Sequence, residues 1–344
     1  MRSLVFLVKV LKSLLWITRK NESDVVDLYN SITPFVKIAI NNKRSDALNF
    51  GYWTQNTHDP LKAQEEMCRI VAELADLNSG KRLIVADVGS GFSAPALQWK
   101  LKYNNYLDVI CVDINCKQLS TAATMPAGTV TTGTTGISTN DYCKARVRMD
   151  VDNGVTNASI LLSVTKFISF VNATATTLPF RDQCVDRIIA LESAQHFKPL
   201  QNFFSESKRI LKTDGLFIVA IPIINSNLAG YSSFVQFLKL GILYFSWASE
   251  HYSLKNIKST LLSNDFKTED VHYIGHSVYE PVVDYYIKNR RLLKQTIIRG
   301  MRLSCIHRML FEFVEYMVYR SALKMRYLSR KGMIDYVLVT ATRK

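Results

Sequence analysis

An apolar run that ends in an acid and two glycines, Arg82-Leu-Ile-Val-Ala-Asp-Val-Gly-Ser-Gly-Phe-Ser93, is the first stretch of this chain arranged for chemistry. A strand that stops at Asp87-x-Gly89-x-Gly91 can bring bare backbone close to a ligand, because glycine tolerates turns that other residues resist. The carboxylate two residues before the first glycine would face a pyrophosphate badly and suits a ligand carrying an ammonium group. A phosphate-binding loop closes on Gly-Lys-Ser/Thr, whereas Phe92-Ser93-Ala94 supplies no lysine. A dinucleotide fingerprint needs a third glycine, and this turn has none. A second acid, Asp113, ends the next apolar run. Further on, Glu192 and His196 follow the apolar run Arg187–Leu191. A histidine at such a strand end can take a proton from a hydroxyl or amine; the alternative is a hydrogen-bonded loop histidine.

These residues need elements to hold them. Leu83–Asp87 reads as a buried strand, Ala94–Leu101 as a helix and Val109–Asp113 as a second strand. A strand, glycine turn, helix and strand in that order predict a parallel sheet with right-handed crossovers. A helical pattern runs from Glu65 to Leu77. Residues 120–153, with "TAATMPAGTVTTGTTGIST", have no period and are expected to be a flexible insertion. Order resumes with Ile160–Val171. Leu200–Leu211 is an amphipathic helix with Phe203, Phe204, Ser207, Ile210 and Leu211 inward. Lys212–Gly215 reads as a turn, and Leu216–Ile223 as a strand stopped by Pro222. A strand near Asp270–Ile274, helices from Pro281 to about Arg326 and a final strand Met333–Thr340 complete the pattern.

The acid–x–Gly–x–Gly order resembles motif I of the class I S-adenosylmethionine-dependent methyltransferases. "LPFRDQCVDRIIALESAQHF" is similar to the block that leads into that family's fourth strand, and "FFSESKRILKTDGLFIVAIP" to the block before the fifth. "LNFGYW" looks like the lead-in of the small-molecule and lipid methyltransferases, including those acting on tocopherols and sterol-like lipids. The resemblance covers roughly Leu48 to Lys344 outside the insertion. It implies a Rossmann-like α/β fold: a seven-stranded, mostly parallel sheet with helices on both faces and a C-terminal helical cap. It implies S-adenosyl-L-methionine as cofactor. Asp87, Gly89, Ser90 and Gly91 would then cradle its methionine end, and Asp113 and Ile114 its ribose. Thr174, Ala175 and Glu192 would complete the cofactor site, while Tyr52, Trp53, Gln195 and His196 would face the acceptor, with His196 and Glu192 catalytic. Two departures stand out. Ser93 replaces a motif glycine, which expects negative φ there. Thr174 stands where the family places an aspartate against the adenine amine, and a threonine carries no charge.

The 344 residues carry a net charge of +14, with basic clusters in the first twenty residues and after Lys288. That favours an anionic surface or partner without selecting one. The first twenty residues are amphipathic and basic, too short to span a bilayer, and suit either packing on the domain or lying in a membrane surface. The six cysteines show no metal spacing and read as reduced thiols of a cytoplasmic protein. No metal is implied. The expected organisation is an N-terminal basic helix and lead-in over 1–47, the core over 48–223, and a cap with the final strands over 224–344. The expected reaction is methyl transfer to a small, lipophilic acceptor at O, C or N, with peripheral membrane contact through residues 1–20 and the basic C-terminal helices. Those helices, basic and aromatic, leave a nucleic-acid methyltransferase or binding protein as an alternative class. A cofactor-binding homologue without catalysis is a second.

Overall fold

The computed structural model describes residues 21–39, 49–103, 106–123, 168–241, 243, 250–301 and 305–344. The expected helix over residues 1–20, and the expected insertion beyond residue 123, lie outside them. Residues 120–123, placed in that insertion by sequence, instead complete a helix.

In chain order the described elements are α1 (Glu22–Ala39), α2 (Pro60–Leu74), β1 (Leu83–Val88), α3 (Ala94–Lys102), β2 (Leu107–Asp113), α4 (Cys116–Ala123), β3 (Ile168–Asn172) and β4 (Val185–Leu191). A 3-10 turn (Ala194–His196) leads to α5 (Leu200–Ile210), β5 (Leu211–Ile224), α6 (Ser226–Ala229), α7 (Ser233–Leu240), α8 (Leu254–Ser263) and β6 (Phe266–Tyr273). Two long helices, α9 (Gly275–Met301) and α10 (Cys305–Arg330), precede β7 (Ile334–Arg343). Local chemistry sets several of these limits. The α2 helix starts at Pro60, upstream of its apolar stripe, because the Asp59 side chain accepts the Lys62 N–H at 3.0 Å and caps it.

The seven strands form one sheet in the order β3-β2-β1-β4-β5-β7-β6. Strands β1 to β5 pair in parallel, and β7 runs antiparallel between β5 and β6. The chain lays down β1, β2 and β3 toward one edge and then returns to place β4 on the other side of β1. Ligands of open α/β sheets sit at such a reversal, outside the carboxyl ends of the strands. Asp87 near the end of β1 and Glu192 just after β4 flank it.

Helices cover both faces, each with its own apolar core. On one face Met67 and Val71 of α2, Trp99 of α3, Tyr279 of α9 and Leu328 of α10 are fully buried. The Trp99 indole N–H donates to the Cys68 carbonyl at 2.9 Å, which satisfies the polar end of a buried aromatic. On the other, Phe203 and Phe204 of α5 meet Phe217 of β5, which stacks on Phe266 of β6 at 5.1 Å. Ser207 and Ile210 are buried beside them, as their spacing predicts.

Pro222 does not stop β5. It sits inside the strand, opposite Tyr336 of β7. Pairing with β4 has already ended at Leu191↔Ala220, so the missing N–H falls where the strand has a neighbour on one side only. The expected turn at Lys212–Gly215 is a bulge within the same strand, where the register to β4 slips between Val185 and Arg187. Pro281 likewise lies inside α9 rather than at its start. A helical proline cannot donate to the carbonyl four residues before it. That carbonyl, of Ser277, accepts the Trp53 N–H instead, at 2.8 Å.

Candidate functional site

A cleft of about 990 Å³, counting its open mouth, lies over the ends of β1, β2 and β4. Its floor is the glycine turn. The Gly89 and Ser90 N–H groups both donate to the Val112 carbonyl, at 2.7 and 3.1 Å, which pins the turn to β2. Gly89 has φ +76°, and a Cβ there would lie 2.3 Å from the Ser193 Cβ. The close approach that demands this glycine is therefore the crossing after β4, where Ser193 Oγ donates to the Val88 carbonyl at 2.7 Å. Gly91, with φ +55°, faces open cleft: a Cβ there would meet nothing nearer than Gln118 Oε1 at 3.8 Å. Ser93 departs from expectation, with φ +58°. The turn is closed tightly by the Ser93 N–H donating to the Ser90 carbonyl at 2.7 Å, so the serine accepts a left-handed backbone just ahead of α3.

Three carboxyls face this floor. Asp87 is 1% exposed, and burial with the nearby Asp113 charge pushes it up to about 7. Its Oδ2 is buried without a hydrogen-bond partner among the described residues. Asp113 accepts the Gly91 N–H through Oδ2 and the Asn115 N–H through Oδ1, both at 2.7 Å. Burial raises it despite those two donors. Glu192 sits at φ +53°, an unusual backbone for a glutamate, and accepts the Phe50 N–H at 2.9 Å. Burial pushes it up to about 8, against the lowering effects of that N–H and of the nearby Tyr336 hydroxyl. The tyrosine lies beside it without closing a well-formed hydrogen bond. Part of Glu192 opens to the cleft, so water there moderates the shift.

The roof is α1, to which sequence assigned no role. Glu22, Val25, Val26 and Tyr29 recur at the spacing of one helical face and line the cleft. Three polar contacts fasten this helix across the opening. Thr174 Oγ1 donates to the Glu22 carboxylate. The Tyr29 hydroxyl and His196 Nε2 share a hydrogen bond at 3.2 Å. Asn115 Nδ2 donates to Asn30 Oδ1 at 3.3 Å. The sequence reading placed only a lead-in here, because the apolar period of a helix does not say which surface the helix covers.

The expected site residues divide as follows. Asp87, Gly89, Ser90, Gly91, Asp113, Ile114, Ala175, Glu192 and His196 all line the cleft. Thr174 stands just outside the lining, behind Glu22. Tyr52, Trp53 and Gln195 are not among the lining residues. Trp53 is buried against Tyr285 of α9 at 5.6 Å between rings, and its indole N–H donates to the Phe50 carbonyl. Tyr52 donates its backbone N–H to Ala63 of α2. Gln195 is buried with its amide donating to the Glu192 carbonyl at 2.7 Å. These three brace the site from behind. Asn49 and Gln118 line it and carried no sequence signal.

The acidic groups on the lining are Glu22, Asp87, Asp113 and Glu192, with Tyr29 and His196 beside them and no lysine or arginine. In a chain of net charge +14 this acidic lining suits a ligand that carries positive charge. Among the described residues no cluster of His, Cys, Asp and Glu could hold a metal ion.

Residues 129–219 match the family described as a methyltransferase domain. The chain is 22% identical over 249 residues to erythromycin 3''-O-methyltransferase of Saccharopolyspora erythraea, covering 70% of this chain and 68% of that one. A putative sarcosine dimethylglycine methyltransferase from Galdieria sulphuraria shares its fold with a TM-score of 0.64 at 15% identity, over 91% of this chain and 98% of the other. Geranyl diphosphate C-methyltransferase from Streptomyces coelicolor, solved with S-adenosyl-L-homocysteine, does so with a TM-score of 0.56 at 13% identity, over 90% and 93%.

S-Adenosylmethionine fits the residues present. Its sulfonium and ammonium suit an acidic cleft, and the ammonium would satisfy the orphaned Asp87 Oδ2. Both Asp113 oxygens, each with a lone pair to spare, can accept a ribose diol. Strand order, cleft chemistry and these likenesses converge on an S-adenosylmethionine-dependent methyltransferase with a Rossmann-like fold.

Proposed function

We propose that the chain methylates a small, lipophilic acceptor held under α1, with His196 as the group that takes the acceptor's proton. When bound, the cofactor supplies an electrophilic methyl group on a positively charged sulfur. The chain's own residues do the rest. Asp87 would hold the ammonium and Asp113 the ribose of the bound molecule. Val25, Val26, Leu191 and Phe197 give the remaining wall an apolar character that excludes water. The observation that carries the reading is the His196–Tyr29 hydrogen bond at the cleft wall. It fixes the imidazole on the cleft lining, at a strand end where α/β enzymes place reacting groups, which supports this role. Glu192, raised to about 8, keeps its proton at neutral pH and is a hydrogen-bond donor of that wall. The acceptors named for the relatives, erythromycin and geranyl diphosphate, are small molecules, which supports the same class here.

A lipophilic acceptor also agrees with the outer surface. Met309, Phe313 and Tyr316 form an exposed stripe on α10, with Arg308 and Arg320 beside it. No helix among the described residues is long and apolar enough to cross a membrane. The nucleic-acid alternative loses support, because much of the basic charge on α9 and α10 is already engaged. Arg290 pairs with Glu315 at 2.6 Å, Lys294 with Glu312, Arg326 with Asp284 at 2.5 Å and Arg330 with Glu280 at 2.9 Å.

The test is transfer of labelled methyl from S-adenosylmethionine into extractable product, using a panel of hydroxylated macrolides and prenyl alcohols. The wild type is expected to turn over at least one. His196→Ala should lower kcat by about a hundredfold or more while changing S-adenosylhomocysteine affinity far less. Equal turnover by His196→Ala would remove the proton-accepting role. Cofactor binding without transfer to any acceptor would favour the non-catalytic reading.

A further inference from the structure

The polar groups of the cleft follow the strand order. Asp87 belongs to β1, Asp113 ends β2, and Ala173–Ala175 follow β3; these three strands are neighbours. A cofactor whose ammonium meets Asp87 and whose ribose meets Asp113 must carry its base onward over the end of β3. Adenine presents an exocyclic amine that needs an acceptor there. The loop after β3 offers none with a charge: Thr174 uses its hydroxyl to donate to Glu22. Glu22, the first residue of α1, lines the cleft at this end. Gln118, also on the lining, is buried with its Nε2 unpartnered among the described residues, a donor left over for a polar ligand.

We propose that Glu22 accepts the adenine amine, with Thr174 as the residue that positions its carboxylate. The assignment rests on the methyltransferase reading. It moves recognition of the base from the sheet to the roof helix, so α1 selects the nucleoside as it closes.

Calorimetric titration of the full chain with S-adenosylhomocysteine and with S-inosylhomocysteine tests this. The second ligand replaces the amine with a carbonyl, which a carboxylate repels. The wild type is expected to prefer the adenosyl ligand by about thirtyfold, the scale of one charge-assisted hydrogen bond. Glu22→Ala should bring the two affinities to within about threefold, and its retained binding of the inosyl ligand would show the cleft intact. Glu22→Gln should bind the inosyl ligand more tightly than the wild type does, since an amide can donate to the new carbonyl. An unchanged preference in Glu22→Ala overturns the assignment while leaving the cofactor reading in place. Failure of the wild type to bind either ligand overturns both.

Discussion

Replacing Asp87 with asparagine should make the cofactor-free protein more stable at alkaline pH while weakening cofactor binding. The carboxyl's ordinary value is 3.8, and inside the fold it stands at about 7. A raised acid is protonated in the fold while the unfolded chain would release its proton. Its contribution is therefore fully present below the ordinary value and is lost as pH rises through about 7. At about 1.4 kcal/mol for each pH unit between the two values, the loss amounts to roughly 4 kcal/mol. With the residue 1% exposed, little solvent screening reduces that figure. About 3 kcal/mol of it falls between about pH 5 and about pH 8. Asparagine does not titrate. Its amide inherits the unpartnered site, at a cost of about 1–3 kcal/mol that is the same at every pH. Urea unfolding of both proteins across that range is the assay. The wild-type unfolding free energy should fall by about 3 kcal/mol more than that of Asp87→Asn. Glu192 titrates in both proteins and cancels in the difference. Calorimetry at neutral pH should show S-adenosylhomocysteine binding about tenfold to a hundredfold more weakly to the variant. Parallel pH profiles would refute the reasoning, because they would mean that the carboxylate is already solvated or paired.

The two turn glycines should respond differently. Gly89→Ala drives a Cβ against Ser193 and is expected to abolish soluble, folded protein. Gly91→Ala should fold at a cost of about 1–2 kcal/mol yet lose cofactor affinity, because its new methyl enters open cleft; equal effects of the two on circular-dichroism melting would contradict this. Ser93→Gly relieves a left-handed serine and forgoes one 3.2 Å hydroxyl contact to Ser90. A gain of up to about 1 kcal/mol in thermal unfolding is expected, and a loss of that size would place the serine's value in its hydrogen bonds instead.

What sequence reveals here depends on where each residue's partner lies. Asp87 and Asp113 were legible because each comes at the carboxyl end of a buried strand, and a parallel sheet brings such ends together whatever the intervening residues are. Phe203, Phe204, Ser207 and Ile210 were legible because a helix with one apolar face must bury it. Pro222 was misread because its tolerance depends on β4 ending two positions earlier, a fact of strand length on a neighbouring element. Tyr52 and Trp53 drew attention as aromatics near the site, yet their places are set by Ala63 and by the Ser277 carbonyl that Pro281 leaves open. The roof was the largest omission. The period of Val25, Val26 and Tyr29 announces a face to be covered but not the surface that covers it, so Glu22 and Tyr29 carried no visible role.

The position of β7 also dictates the order in which this protein can be completed. Every residue that lines the cleft lies between Glu22 and Phe197 and leaves the ribosome early. Yet β7, residues 334–343, is the strand that joins β6 to the sheet, and it brings Tyr336 up behind Glu192. Contacts of such sequence separation form late and slowly. A nascent chain therefore holds every residue of the cleft lining while the wall behind Glu192 is still missing. Until the last strand slots in, the open side of β5 is a free edge, available to the wrong neighbour as readily as to the right one.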